Sequence, residues 1–262
     1  MTSHGFLFFT RAGFAARGIL YLLVAWLALH FGRSEDTGGA MEYVKSEAGD
    51  FVLGAMAVGF AAYGAWRLLD AVLDLQRKGS DAKGLGKRAV GVGGGLVHLG
   101  LGFSAARLAL AGGGAADASD RAEKGASAAM DLPGGEAVLY IAAAALAVAG
   151  VVQLSVAFRR SFLRHLEPGA RQIGWISVAG CCGYAARGIV FLTAAWLAMR
   201  AGLNHHASEA GALGDALGSL PSTLRMLVAG GLALFGVYSL VEARYRILAD
   251  PQVTDRIRDA MR

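Results

Sequence analysis

The sequence predicts an all-α, polytopic membrane protein whose six transmembrane helices form three tandem hairpins within a single membrane domain spanning residues 1–262. Three observations carry this. The apolar residues are gathered into six blocks of membrane-spanning length, the basic residues crowd into alternate loops, and the chain repeats itself. Of the residues 55% are hydrophobic and 17% charged, with a mean hydropathy of +0.47, where a soluble domain carries roughly a quarter charged residues. The surplus apolar surface has to face something other than water.

The blocks run over 13–31, 51–74, 91–110, 137–158, 176–199 and 224–246, each close to the ~20 residues that cross a hydrocarbon core as a helix. They are continuous rather than alternating, so helices are expected and not barrel strands. Thirty-eight glycines would weaken soluble helices, yet in lipid small residues let backbones approach closely. The first block follows Arg11, is interrupted by Arg17 and lacks a small-residue cleavage site, so it reads as a retained span and not as a signal peptide. In the fifth block Cys181 and Cys182 are adjacent, a spacing suited neither to an unstrained local disulfide nor to a metal cluster. They read as small buried residues.

Orientation follows from the loops. Segments 1–12, 76–88, 159–172 and 244–262 carry most of the lysine and arginine, led by Arg77, Lys78, Lys83, Lys87, Arg88, Arg159, Arg160, Arg164 and Arg171. The alternate segments hold only Arg33, Lys45, Arg121 and Lys124, alongside acids such as Glu35, Asp36, Glu42, Glu47, Asp50, Asp117 and Glu123. Both termini are therefore expected on the cytoplasmic side of a bacterial inner membrane, with loops 32–50, 112–136 and 201–223 outside. The basic loops lack interleaved stacking aromatics, so the net charge of +5 points to the lipid bilayer and not to nucleic acid.

Compared with itself, the chain shows Ala15-Ala16-Arg17-Gly18-Ile19 returning as Ala185-Ala186-Arg187-Gly188-Ile189, and Trp26-Leu27-Ala28 as Trp196-Leu197-Ala198. A weaker middle copy sets Gly94-Gly95-Leu96-Val97 against Arg17-Gly18-Ile19-Leu20. Among the even-numbered spans Gly64, Gly150 and Gly236 fall together, followed by Trp66, Val152 and Tyr238. The unit is one hairpin, used at 11–78, 88–165 and 174–248. On Gly13, Phe14, Arg17 and Gly18, and again Gly183, Tyr184, Arg187 and Gly188, the chain resembles a bacterial family known as domain of unknown function 1206, whose members look like three such hairpins. The resemblance implies the architecture and brings no activity, substrate or cofactor. The middle copy departs from the signature, with Gly94 in the arginine position.

Ionisable groups inside spans need a partner, water or an interface. Arg107, Arg200, Arg225 and Asp74 sit near span ends and read as interfacial. Arg17, Arg67, Asp70, Arg187 and Glu242 lie further in. Arg17 and Asp70 are each about five residues from the inner ends of spans one and two, hence about 7 Å deep at ~1.5 Å per residue. Arg187 and Glu242 are their counterparts in the third repeat, and in the middle repeat both charges are missing, at Gly94 and Val156. The expectation is two intramembrane pairs inside single hairpins, Arg17 with Asp70 and Arg187 with Glu242, with Arg67 as an alternative partner one turn from Asp70.

His98 stands where the other repeats carry Tyr21 and Phe191, and with Arg67 it marks a possible polar path; the plainer reading is one hydrogen bond to a carbonyl. His205-His206, near only Glu209 and Asp215, reads as a solvated loop. Gly94 and Gly95, inside the Gly93-Gly94-Gly95 run, are expected to form a close-packing surface for another helix or a flat apolar ligand. Gly112-Gly113-Gly114 reads as the start of a flexible outer loop.

No H-E-x-x-H, G-x-x-x-x-G-K-[ST] or G-x-S-x-G motif occurs, no catalytic or metal-binding residue is nominated, and no cofactor is named by the residues. Two function classes follow. One is a non-enzymatic binding or assembly subunit holding a membrane-protein partner, a lipid or a hydrophobic pigment. The other is a small ion or solute transporter or channel lined by Arg67, Asp70, His98 and Glu242. An intramembrane enzyme is a distant third.

Overall fold

The computed structural model describes residues 3–30, 37–74, 78–111, 118–211 and 213–247. Its elements are helices: α1 (Ser3–His30), α2 (Thr37–Leu73), α3 (Ala82–Ala111), α4 (Ala118–Met130), α5 (Glu136–Phe158), α6 (Pro168–Arg171), α7 (Gly174–Asn204), α8 (Leu213–Gly218) and α9 (Ser222–Tyr245), with 3₁₀ turns at Ser161–His165 and Ala207–Glu209. Six of them, α1, α2, α3, α5, α7 and α9, contain stretches long and apolar enough to cross a membrane. They are the six expected spans, extended at their ends. At ~1.5 Å per residue the 31 residues of α7 reach about 46 Å, so its ends stand outside a ~30 Å hydrocarbon core.

Two stretches expected as outer loop are helical. Residues 37–48 extend α2 beyond Gly49, whose φ of 77° and ψ of 176° break the helix in a conformation open to glycine. Ala40, Met41 and Val44 bury one face of that extension. In loop 112–136, α4 packs Ala126 and Ala129 against Leu139 of α5 and Ala201 of α7. Each buries apolar residues at helical spacing, although neither is apolar enough to resemble a span. The run Gly112-Gly113-Gly114, together with Arg33, Glu35, Asp36, Arg77 and Asp117, lies outside the described residues.

The chain separates into two compact units, Met1–Arg17 with Val44–Gly113 and Leu240–Arg262, and Gly18–Tyr43 with Gly114–Ser239. In the first, Phe14, Tyr63 and Trp66 form the aromatic core, with Ala243 packed on it. In the second, Phe162 stacks on Tyr184 at 5.3 Å and meets Tyr238 edge-on at 5.1 Å. Phe162 is carried there by the turn after α5. Arg160 enters it in the left-handed region, Pro168 opens α6, and Arg171 donates to the carbonyls of Leu166 (2.6 Å) and Arg164 (2.9 Å).

Burial departs from that of a soluble protein in two respects. Arg17, Asp70 and Glu242 are buried, whereas Val97, Phe103, Ile141 and Val148 each expose about 60% or more of their surface. Apolar side chains outside and charges inside fit a lipid surround. Trp26 and Trp196, at equivalent repeat positions toward the C-terminal ends of α1 and α7, are both exposed, as interfacial anchors are.

Candidate functional site

The repeat determines which helices meet. A β-carbon on Gly64 of α2 would lie 2.8 Å from the carbonyl oxygen of Gly95 and 2.8 Å from Cγ of Leu99, both on α3. One on Gly150 of α5 would meet Gly188 oxygen at 3.0 Å and Leu192 Cγ at 2.8 Å on α7, and one on Gly236 of α9 would meet Gly18 oxygen and Leu22 Cγ on α1, both at 2.8 Å. Gly64, Gly150 and Gly236 are equivalent, and so are Gly18, Gly95 and Gly188. The second helix of each repeat thus seats on the first helix of the next, and that of the third seats on the first. We call these interfaces seams. Within the hairpins, equivalent aromatic pairs join the two helices: Phe14 with Tyr63 at 5.0 Å and Tyr184 with Phe235 at 5.3 Å.

The ionic pair of Arg17 follows a seam and not its hairpin. Arg17 donates through Nη2 to Oε2 of Glu242 at 2.5 Å and through Nη1 to the hydroxyl of Tyr63 at 3.0 Å. Arg246, one turn beyond Glu242 on its own strand of chain, takes the other carboxylate oxygen. Both guanidiniums lie 4.9 Å from the ring of Phe14. Asp70, fully buried, is paired by Lys78 at 2.5 Å. Arg187 lies over three rings, Phe235 at 4.5 Å, Phe191 at 5.3 Å and Tyr21 at 5.5 Å, and its buried Nε has no hydrogen-bond partner. The expected pairings Arg17–Asp70 and Arg187–Glu242 are therefore corrected: Glu242 belongs to Arg17.

The physical reason is the middle repeat. Across a seam, Glu242 of repeat three meets Arg17 of repeat one. The same correspondence sets Asp70 of repeat one toward position 94, where the arginine is absent, and Arg187 toward position 156, where the carboxylate is Val156. The two losses in the middle copy break two different pairs. A buried charge left alone is costly, so Asp70 is met by Lys78 from beyond its helix, and Arg187 by ring faces, which attract a guanidinium.

The other expected site residues fall as follows. Arg67 extends its guanidinium over Gly94, with Nη2 3.1 Å from where a β-carbon would stand. His98 makes a 2.7 Å hydrogen bond through Nδ1 with the carbonyl of Gly94, and Tyr63 meets it edge-on at 4.5 Å. A β-carbon on Gly95 would stand 2.8 Å from Cγ and Cδ2 of Leu68 and 3.0 Å from the carbonyl oxygen of Gly64. Gly94 and Gly95 are thus both in close contact, with a side chain and with backbone respectively.

Among the interfacial residues, Arg107 is exposed and Arg200 pairs with Glu209 at 3.2 Å. Asp74 lies past the end of α2, outside the span, and accepts from the backbone N–H of Lys78 (2.6 Å) and of Gly79 (3.0 Å). These bonds, that of Lys78 foremost, hold its carboxyl below the usual carboxylate range. His205 lies 3.1 Å from Glu136, and among the described residues no group of three or more His, Cys, Asp and Glu is placed to hold a metal ion. Cys181 is half-buried and Cys182 exposed, so the expected burial of both is corrected for Cys182. Sequence reasoning missed Lys78 and Arg246. The second was visible as an i, i+4 pair with Glu242.

Comparison with known proteins agrees with the repeat. An uncharacterized protein of Bacillus subtilis (strain 168), YxxB, is 22% identical over 251 residues, covering 91% of this chain and 90% of its own length. No solved structure matches. The model of the family described as Domain of Unknown Function (DUF1206) matches three times, at residues 12–74, 90–160 and 182–246, and each match takes in one hairpin. The chain belongs to the DUF1206 family.

Proposed function

We propose that the chain is a non-enzymatic binding or assembly subunit of the bacterial inner membrane, with both termini cytoplasmic, holding a membrane-protein partner, a lipid or a hydrophobic ligand against its helices. The observation that carries this reading is the seam. Backbone approaches backbone at equivalent glycines in all three seams, and the deep charges at Arg17, Glu242 and Asp70 are met by partners inside the fold. Such packing makes a rigid scaffold and leaves apolar faces on α3 and α5 turned outward, where dispersion and small-residue contacts drive association in lipid.

Purification in mild detergent followed by native mass spectrometry tests it. A co-purifying subunit or a retained lipid is expected. A clean, ligand-free particle would overturn the reading. The polar string of Arg67, His98, Tyr63 and Arg17 in the first compact unit favours the alternative, an ion or solute transporter or channel. Proteoliposome flux above that of empty liposomes would establish that alternative.

A further inference from the structure

At the inner end of each seam, one position on the first helix of a repeat reaches toward the end of the second helix of the repeat before it. In the repeat correspondence Arg11, Arg88 and Cys181 are equivalent, as are Ala243, Ala71 and Ala157. Arg88 closes its seam, donating through Nε to the carbonyl of Ala71 (2.7 Å) and through Nη2 to that of Val72 (2.8 Å). Cys181 closes the next, its thiol donating to the carbonyl of Ala157 (3.4 Å). The third seam is open. The Nε of Arg11 is buried with no hydrogen-bond partner, and a cleft of about 300 Å³ lies there, lined by Arg11, Ala12, Ala15, Leu240, Ala243 and Arg244.

The charge around this cleft is one-sided. Where the other seams carry Val72 and Phe158, this one carries Arg244, exposed and stacked over Tyr245 at 5.3 Å. Among the described residues no carboxylate lies within ion-pair distance of Arg11 or Arg244. The nearby acid, Glu242, is already shared between Arg17 and Arg246. Between the two arginines the walls are alanine and leucine side chains, which offer an acyl chain a smooth surface and a soluble anion nothing.

We propose that this cleft binds one anionic phospholipid, its phosphate held between Arg11 and Arg244 and an acyl chain laid along Ala12, Ala15, Leu240 and Ala243. A guanidinium with a free Nε makes paired, charge-assisted bonds to phosphate oxygens, and Arg11 stands at the start of the first apolar stretch, Thr10–Leu29, the end of a span where lipid headgroups lie. Such a lipid supplies the acceptor that Arg88 and Cys181 find in a helix end. The inference rests on the binding reading above and names its ligand class.

The full chain, delipidated in detergent, is titrated with phosphatidylglycerol and with phosphatidylcholine and followed by native mass spectrometry. Phosphatidylglycerol is expected to bind the wild type more tightly, and the double substitution Arg11→Gln/Arg244→Gln to weaken it about tenfold or more, the loss of two phosphate-facing charges. Ala15→Leu, which fills the wall and keeps both arginines, should weaken it comparably. Arg159→Gln/Arg164→Gln, on the turn after α5, should leave it unchanged. Phosphatidylcholine bound as tightly, or inorganic phosphate displacing the lipid at equal concentration, would overturn the lipid assignment. Phosphatidylglycerol bound equally by wild type and the Arg11/Arg244 variant would overturn this cleft while leaving the binding reading intact. Absence of any lipid and any partner would overturn both.

Discussion

Replacing Glu242 by alanine removes the one carboxylate between two guanidiniums. Its side chain is 1% exposed, and those of Arg17 and Arg246 are 8% and 11% exposed, so water cannot take over. Breaking a buried pair by deleting one partner costs about 3–5 kcal/mol. Here two like charges are left together, which places the cost toward the upper figure, while the Tyr63 hydroxyl and the ring of Phe14 return about 1–2 kcal/mol of it to Arg17. The expected net loss is about 3 kcal/mol. Arg17→Ala should cost less, because Arg246 still neutralises Glu242. Combining Arg17→Ala with Glu242→Ala should cost less than the sum of the single changes by about 1–3 kcal/mol, whereas Arg17→Ala with Asp70→Ala should be additive within about 0.5 kcal/mol. Equilibrium unfolding in mixed micelles, read by tryptophan fluorescence, measures each of these. Additivity for Arg17 with Glu242, together with coupling for Arg17 with Asp70, would refute pairing across the seam.

Other consequences are as direct. Gly95→Leu forces a side chain into Leu68 and the backbone of Gly64 and should destabilise by about 1–3 kcal/mol, whereas Gly93→Ala, with open space around it, should melt like wild type; equal melting of both would place Gly95 toward lipid. Lys78→Met removes a buried ionic partner of Asp70 and should cost about 1–3 kcal/mol, recovered in large part by adding Asp70→Val, the residue type of the middle repeat; no recovery would mean that Lys78 acts otherwise than through Asp70. With Cys181 and Cys182 replaced by serine, an impermeant thiol reagent should label Ser46→Cys and spare Ser80→Cys in right-side-out vesicles; equal labelling would refute the cytoplasmic placement of the termini.

Much of this fold is legible in the sequence because the bilayer imposes one-dimensional rules. Span length and the hairpin repeat are read directly from apolar blocks and from returning motifs such as Ala15–Ile19 and Ala185–Ile189. The helices at 37–48 and α4 were not, because short amphipathic segments among charged residues look like loop until the surface they pack on is known. The charge pairs failed for a different reason. Depth places Arg17 level with Asp70, but it places Arg17 equally level with Glu242, since both second helices run antiparallel to α1 at the same register. Equivalence between repeats says which positions correspond and is silent about which neighbour each one faces. That choice is made by Gly236 seating on Gly18, a contact with no local signature. Lys78 was hidden likewise, because its reach back to Asp70 depends on its own backbone N–H being held by the Asp74 carboxylate.

Solid-state NMR on the chain in bilayers, with arginine guanidinium ¹⁵N and Asp/Glu carboxyl ¹³C labels, tests seam pairing most directly. In an Arg200→Lys/Arg246→Lys background, which removes the other described arginine–carboxylate pairs, seam pairing predicts strong dipolar dephasing from a nitrogen-to-carboxyl-carbon distance of about 3–4 Å. That component should disappear on Glu242→Gln and persist on Asp70→Asn. A component that survives Glu242→Gln and is lost on Asp70→Asn would contradict it, returning the charge pair to the hairpin.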